Sequence, residues 1–188
     1  MAINETRDSA KDGGLADDLK AACRSIIRGS TLLLSQLDRD LERSHGLSLA
    51  EFDVLMAIAE GPPEGVRMTT LAEQSLLSKS RLSHCVDRLE TQGFVSREKV
   101  PNDRRGLFAN LTDRGGEFIN EIVPTHSDCL QRYVIDLVSH DELVHVAGVA
   151  ARISGSVEAA SGRRPTPDQG RFADRSRPGT AARSFGYP

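Results

Sequence analysis

Residues 78–115 decide the fold of this chain and read SKSRLSHCVDRLETQGFVSREKVPNDRRGLFANLTDRG. The first part predicts a helix, which Ser78 opens as an N-cap and Gly93 ends. The hydrophobic pattern then changes its period. Phe94–Val100 and Leu107–Leu111 predict two short strands joined by a cluster of turn formers. We therefore expect a helix followed by a β-hairpin at this point of the chain.

Further helices are predicted on both sides of this unit. Apolar residues spaced by three and four positions mark one long helix over residues 16–45. Capping boxes, which pair a serine or threonine with a glutamate three positions later, stand at Ser48–Glu51 and Thr70–Glu73. Downstream, Thr112 is predicted to cap a long helix over residues 113–136, and a third box at Ser139–Glu142 opens a last helix. This order predicts a mainly α fold with a small β-hairpin wing, a winged helix-turn-helix flanked by long helices.

The ends of the chain differ from its centre in composition. Residues 1–14 are polar and aperiodic, and residues 155–188 are rich in Arg, Gly and Pro, so both segments are predicted to be disordered tails. Residues 15–154 are predicted to form one domain, which is an ordinary domain size.

Composition excludes several classes of protein. Hydrophobic residues make up 38% of the chain and charged residues 27%, with a net charge of −3, so a generally basic surface is absent. The polar N-terminal segment and the lack of a run of about 20 apolar residues predict a cytoplasmic protein without a membrane span. No phosphate-binding loop, nucleophile motif or metal-ligand spacing stands out, so no enzyme activity, cofactor or metal site is expected.

The positive charge is concentrated in residues 67–114. These hold nine Lys and Arg against six Asp and Glu, a net charge of +3, whereas residues 38–64 carry −5. In a helix-turn-helix the second helix enters the major groove of DNA. Here that helix starts with Ser78, Lys79, Ser80 and Arg81, whose hydroxyls and cations suit phosphates and base edges. Taken alone, the same face would also suit an ordinary solvated helix.

The hairpin tip favours the DNA interpretation. An arginine on a projecting turn suits a narrow minor groove, and Asp103 is predicted to hold the Arg105 guanidinium by a charge-assisted hydrogen bond. The residues predicted to contact DNA lie on the reading helix, on the segment before it and on the hairpin. They are Thr69, Thr70, Ser78, Lys79, Ser80, Arg81, Ser83, His84, Arg88, Arg97, Lys99, Asp103, Arg104 and Arg105.

The junction after the hairpin resembles a known family signature. The run from Gly93 through Asp103 and Arg105 to Leu111-Thr112-Asp-Arg-Gly115 is similar to the wing of MarR-family regulators. That family has Asp-x-Arg at the wing tip and Leu-Thr-x-x-Gly at the start of the next helix. The resemblance extends over about residues 15–153.

The resemblance implies more than a fold. It implies a homodimer on double-stranded DNA with a palindromic operator, usually a repressor that a small aromatic ligand releases. The DNA-binding unit would span residues 48–112, and the dimerisation helices would span 16–45 and 113–154. Two-fold symmetry would set the two reading helices about one DNA turn apart.

The signal that such a regulator senses is left open by the sequence. One branch of the family uses a reactive cysteine near the start of the first helix, which makes Cys23 a redox candidate. However, Cys23 falls on the apolar stripe, where a buried, inert thiol is expected, and Cys85 and Cys129 are expected to be packing residues. His140 and His145 are five residues apart and do not form a metal motif. A winged helix that binds another protein rather than DNA remains an alternative.

Overall fold

The computed structural model describes residues 16–75, 77–100, 103 and 106–161. Within these ranges the chain forms six α-helices and three strands, and the expected mainly α fold with a small antiparallel sheet is confirmed. The elements are α1 (Asp17–His45), α2 (Leu49–Ala59), β1 (Val66–Arg67), α3 (Met68–Gln74), α4 (Lys79–Thr91), β2 (Val95–Lys99), β3 (Leu107–Leu111), α5 (Asp113–Tyr133), a short 3-10 turn (Ile135–Leu137) and α6 (His140–Ala160).

Most of the predicted helix starts are confirmed. The capping boxes at Ser48–Glu51 and Ser139–Glu142 are both complete. Ser78 accepts a hydrogen bond from the Arg81 N–H at the start of α4. The Thr70–Glu73 box is wrong, because α3 begins at Met68, three residues before the helix start that this box predicts, and has no side-chain cap. The cause is β1, which pairs with the sheet and fixes the chain just before Met68.

The wing is a sheet of three strands rather than a two-stranded hairpin. Its strand order is β1-β3-β2, and both pairs are antiparallel. The register places Val66 opposite Ala109 and Val95 opposite Leu111. A strand of two residues carries too little pattern to be recognised in the sequence, so β1 was not predicted.

One core joins the second half of α1 to the winged helix. It is mostly aliphatic, as the absence of Trp leads one to expect, and includes Leu41, Leu55, Val86 and Ile119. Among its aromatic residues, Phe94 and Phe118 form a stacked pair with ring centroids 4.1 Å apart. This packing fixes α4 against α2, α3 and β2, so the outer face of α4 has a defined direction.

Two long segments lie outside this core. The first half of α1 is almost wholly exposed, and on α6 only Leu143 and Glu158 are even partly buried. Both segments expose large apolar side chains, namely Leu19, Ile26, Ile27, Leu32 and Leu34 on α1 and Val144, Val146, Val149, Ile153 and Val157 on α6. Among the described residues, nothing packs against these apolar faces.

Two expectations about these segments need correction. Cys23 is exposed rather than buried, because the half of α1 that carries it contacts no core. The tail was predicted to begin at residue 155, yet α6 continues through Gly155 to Ala160. One glycine costs a helix only about 1 kcal/mol, and the following Val-Glu-Ala-Ala continues it. The rest of the tail, and the tail at 1–14, lie outside the described residues.

No helix in the described ranges is both long enough and apolar enough to cross a bilayer.

Candidate nucleic-acid interface

Helix α4 presents one polar face to solvent. Its inner face is fixed by Leu82, Val86 and Leu89, all of them buried. The opposite face carries hydroxyl, imidazole and cationic side chains. The exposed residues among them are Ser78, Lys79, Ser80, Arg81, Ser83, His84 and Arg88. The core therefore orients this face outward as a single surface.

The segment before α4 completes the helix-turn-helix. Helix α3 precedes the turn, and Thr69 at its start is exposed while Thr70 is half-buried. At the other side of the turn, the Ser78 hydroxyl accepts from the Arg81 N–H at 3.3 Å. The backbone N–H groups at a helix start favour an anion such as a phosphate.

The wing tip is joined to the sheet by a bond that the sequence did not reveal. An Asp103 carboxylate oxygen accepts from Arg67 Nη1 at 3.2 Å, and the other accepts from the Gly106 N–H at 3.0 Å. Arg67 also lies over the Phe108 ring, 5.6 Å from its centroid. Arg67 lies in β1, which was not predicted. A prediction of that strand would have placed Arg67 beside the wing and identified it as a partner for Asp103. Arg104 and Arg105, which were both predicted to contact DNA, lie outside the described residues.

Two residues of β2 were predicted to contact DNA. Lys99 is exposed, whereas Arg97 forms ion pairs with acids of the protein. The Arg97 guanidinium donates to Asp87 and lies 3.5 Å from a Glu90 oxygen, both on α4. The Arg97 backbone N–H also donates to Glu90, at 3.1 Å. These bonds direct Arg97 towards α4.

One edge of the Arg88 guanidinium pairs with a buried acid of α2. Its Nε forms an ion pair with a Glu51 carboxylate oxygen at 3.0 Å, and the Glu51 side chain is 2% exposed whereas the Arg88 side chain is 57% exposed. The other Glu51 oxygen accepts from the backbone N–H and the hydroxyl of Ser48, at 2.9 and 2.7 Å. A buried carboxylate thus fixes one edge of Arg88 and leaves the rest of the guanidinium facing outward.

Thr112 joins the recognition helix, the wing and α5. Its hydroxyl donates to the carbonyl oxygen of Gly93 at 2.7 Å and accepts from the Gly115 N–H at 3.0 Å. The predicted role of Thr112 as a helix cap is confirmed, and the additional bond fixes the end of α4 against the start of α5.

The cysteines occupy contrasting environments. Burial, followed by the hydrogen bond to Asp40, raises the pKa of the Cys129 thiol to about 11, so that it stays protonated at neutral pH. Burial also raises the pKa of the half-buried Cys85. Cys23 is exposed, and no hydrogen bond or ion pair to its thiol is found among the described residues.

A recognition helix with a cationic outer face, braced by a second helix and followed by a wing, defines a winged-helix DNA-binding protein. Comparison with known proteins agrees. Residues 45–106 match the model of the MarR family. A MarR-family regulator from Streptomyces coelicolor, Sco3205, solved in complex with DNA, is 37% identical; the match covers 82% of this chain and 97% of that one, with a TM-score of 0.71. The chain belongs to the MarR family of transcriptional regulators, which are not enzymes.

Two curated relatives are similar over shorter segments. The regulator YkoM from Bacillus subtilis is 33% identical over 85 residues, which are 45% of this chain and 54% of that protein. The transcriptional repressor MprA from Escherichia coli is 27% identical over 90 residues, which are 48% of this chain and 51% of that protein. The chain thus spans about half the length of these two relatives.

Proposed function

We propose that the chain is a cytoplasmic repressor that binds a palindromic operator as a homodimer and is released by a small molecule. The observation that carries the proposal is the outward-facing polar surface of α4, held by a buried core beside a wing. In this arrangement the residues from Ser78 to Arg88 read the major groove, and the wing tip enters the minor groove. Its resemblance to a regulator solved in complex with DNA supports DNA binding, and its resemblance to a named repressor supports repression.

The operator is to be found by selecting genomic fragments that the purified protein retains, then measuring affinity on the best fragment by fluorescence anisotropy. Specific binding to a two-fold symmetric duplex, with an affinity that falls steeply with salt, is expected because phosphate contacts release counterions. A protein that retains no duplex, or binds all duplexes equally, would overturn the proposal and favour a protein-interaction module.

Arg81→Ala is expected to weaken operator binding about tenfold, because it removes a cation from the exposed start of α4. If Arg81 contacts a phosphate, the slope of log affinity against log salt also falls by about 0.9. The matched control is Arg43→Ala, which removes the same charge from an exposed position of α1. Equal affinities for the two variants would exclude a DNA contact at Arg81.

The homodimer is supported by the apolar faces of α1 and α6. One protomer leaves Val149, Ile153 and Val157 exposed along one side of α6. Contiguous apolar surfaces of this length are uncommon on monomeric proteins and mark interaction sites. A second copy of the chain offers the same faces, so a two-fold pairing buries both at once.

Ile153→Asp is expected to raise the dimer dissociation constant at least a hundredfold, because a carboxylate would be buried among apolar side chains. The control is Arg152→Asp, which adds the same group on a different side of α6. Analytical ultracentrifugation across a concentration series measures the difference. Wild-type protein that stays monomeric at micromolar concentration would rule out the homodimer.

The candidate position for the small molecule is an open groove between α1 and the end of α5. Its volume is about 360 Å³, and its walls include Leu33, Gln36, Arg39 and Tyr133. Screening small aromatic acids and phenols for loss of the operator complex tests this point. A parallel screen with peroxide, using wild type and Cys23→Ser, tests the redox alternative, which predicts release of the wild type alone.

A further inference from the structure

We infer that Asp87, Glu90 and Arg97 form a clamp that fixes the wing to the recognition helix. In this view Arg97 is a positioning residue and not one of the DNA contacts. The inference rests on the proposed DNA-binding function and adds a device that makes α4 and the wing approach DNA as one rigid unit.

The contacts of the clamp run from the middle of one element to the end of another. Arg97 is the central residue of β2, paired in register with the buried Ala109 of β3. Its guanidinium reaches both Asp87 and Glu90 in the last turns of α4, and Glu90 also accepts from the Arg97 backbone N–H. Since β2 and β3 are paired along their whole length, fixing Arg97 fixes the hairpin against α4.

Burial supports a positioning role. The Arg97 side chain is only 20% exposed, whereas the two carboxylates are 50% and 40% exposed. An arginine that contacts phosphate must present its planar fork to the ligand. Here Nη1 and Nη2 both face acids on the protein.

The two acids of the clamp lie on the helix that is proposed to read DNA, and this position is unfavourable for DNA binding. Asp87 and Glu90 place two negative charges on the helix that reads DNA, where they repel phosphates. Removing an acid from such a surface is therefore expected to strengthen DNA binding by simple electrostatics. A clamp predicts weaker DNA binding instead. Without the ion pairs the wing is no longer fixed against α4, and ordering it again on DNA costs binding free energy.

The sign of the effect provides the test. The variant Asp87→Asn/Glu90→Gln keeps the side-chain shapes and removes two charges. The matched control, Glu73→Gln/Glu98→Gln, removes two charges from exposed positions of α3 and β2 for which no bond is found in the described part of the chain. Operator affinity is measured by fluorescence anisotropy for both, with circular dichroism and thermal unfolding to show that each is folded.

We expect the control to bind about twofold more tightly, by electrostatics, and the clamp variant to bind about tenfold more weakly, by loss of preorganisation. Asp87→Glu, which retains the carboxylate, is expected to stay close to wild type. Tighter binding by the clamp variant, equal to that of the control, would overturn the inference. Failure of the proposed function is distinguishable, because then the wild-type protein would itself show no specific operator complex.

If the clamp variant is unfolded, the charge swap Arg97→Glu/Glu90→Arg takes its place. A clamp predicts that the swap recovers affinity relative to Arg97→Glu alone, measured on the same operator. No recovery in a folded swap variant would likewise overturn the inference.

Discussion

Replacing Gly115 by alanine is expected to lower the free energy of unfolding by about 3 kcal/mol, at the upper end of what overpacking usually costs. A Cβ at this position would stand 2.1 Å from the carbonyl oxygen of Phe94 and 2.8 Å from Cδ1 of Leu111. The first of these atoms is backbone and cannot rotate away. Either α5 or the start of the wing must shift, and Thr112 binds the two together.

The neighbouring glycine provides the control. A Cβ on Gly116 would meet only Leu111 Cδ2, at 3.9 Å, which is an ordinary contact. Gly116→Ala is therefore expected to raise stability by about 0.5 kcal/mol, because alanine restricts the unfolded chain and favours the helix. Urea denaturation of both variants measures the contrast, and equal stabilisation by both would show that α5 does not need its close approach to Phe94.

This contrast also gives a physical meaning to the family signature. Gly115 does not have a positive φ, so its role is to make room rather than to turn the chain. The Leu-Thr-x-x-Gly pattern then describes one contact: a threonine that caps α5 and a glycine that lets α5 lie against the backbone of the wing.

The second large effect is expected for Arg88→Ala, at about 3 kcal/mol of lost stability, because it leaves the buried Glu51 carboxylate without its cation. Ser48 still donates two hydrogen bonds to that carboxylate, but neither donor is charged. Arg81→Ala, on the exposed face of the same helix, is the control and is expected to change stability by less than about 0.5 kcal/mol.

A double-mutant cycle isolates the ion pair. Glu51→Gln removes the buried charge while keeping the shape of the side chain. Combined with Arg88→Ala, it is expected to cost at least about 1 kcal/mol less than the sum of the two single variants. Additive losses in urea denaturation would mean that Arg88 stabilises the fold by packing alone and that the buried carboxylate is solvated in another way.

The features that the sequence predicted well are local. Ser48, Ser78, Thr112 and Ser139 were all identified as caps, since a cap depends on residues within one helical turn. The outer face of α4 followed from periodicity, because Leu82 and its partners leave only one side to face the core.

The features that the sequence did not predict depend on pairs far apart in the chain. The bond between Arg67 and Asp103 joins residues 36 positions apart, and β1 exists only because β3 is beside it. Arg97 was predicted to contact DNA because its charge is visible in the sequence. The two acids that pair with it, Asp87 and Glu90, become its neighbours only after folding. The exposure of Cys23 was not predicted, because an apolar stripe on a helix does not show whether the core of the same chain covers that stripe.

The separation of α4 from α1 and α6 has a genetic consequence for the proposed homodimer. A chain with a defective α4 keeps the apolar faces of α1 and α6, and in the proposed homodimer it would still assemble with normal chains. Mixed assemblies would then carry one competent reading helix for an operator that needs two. In a cell that makes both forms, the defective allele would be dominant over the normal one, while an allele defective in α6 would be recessive.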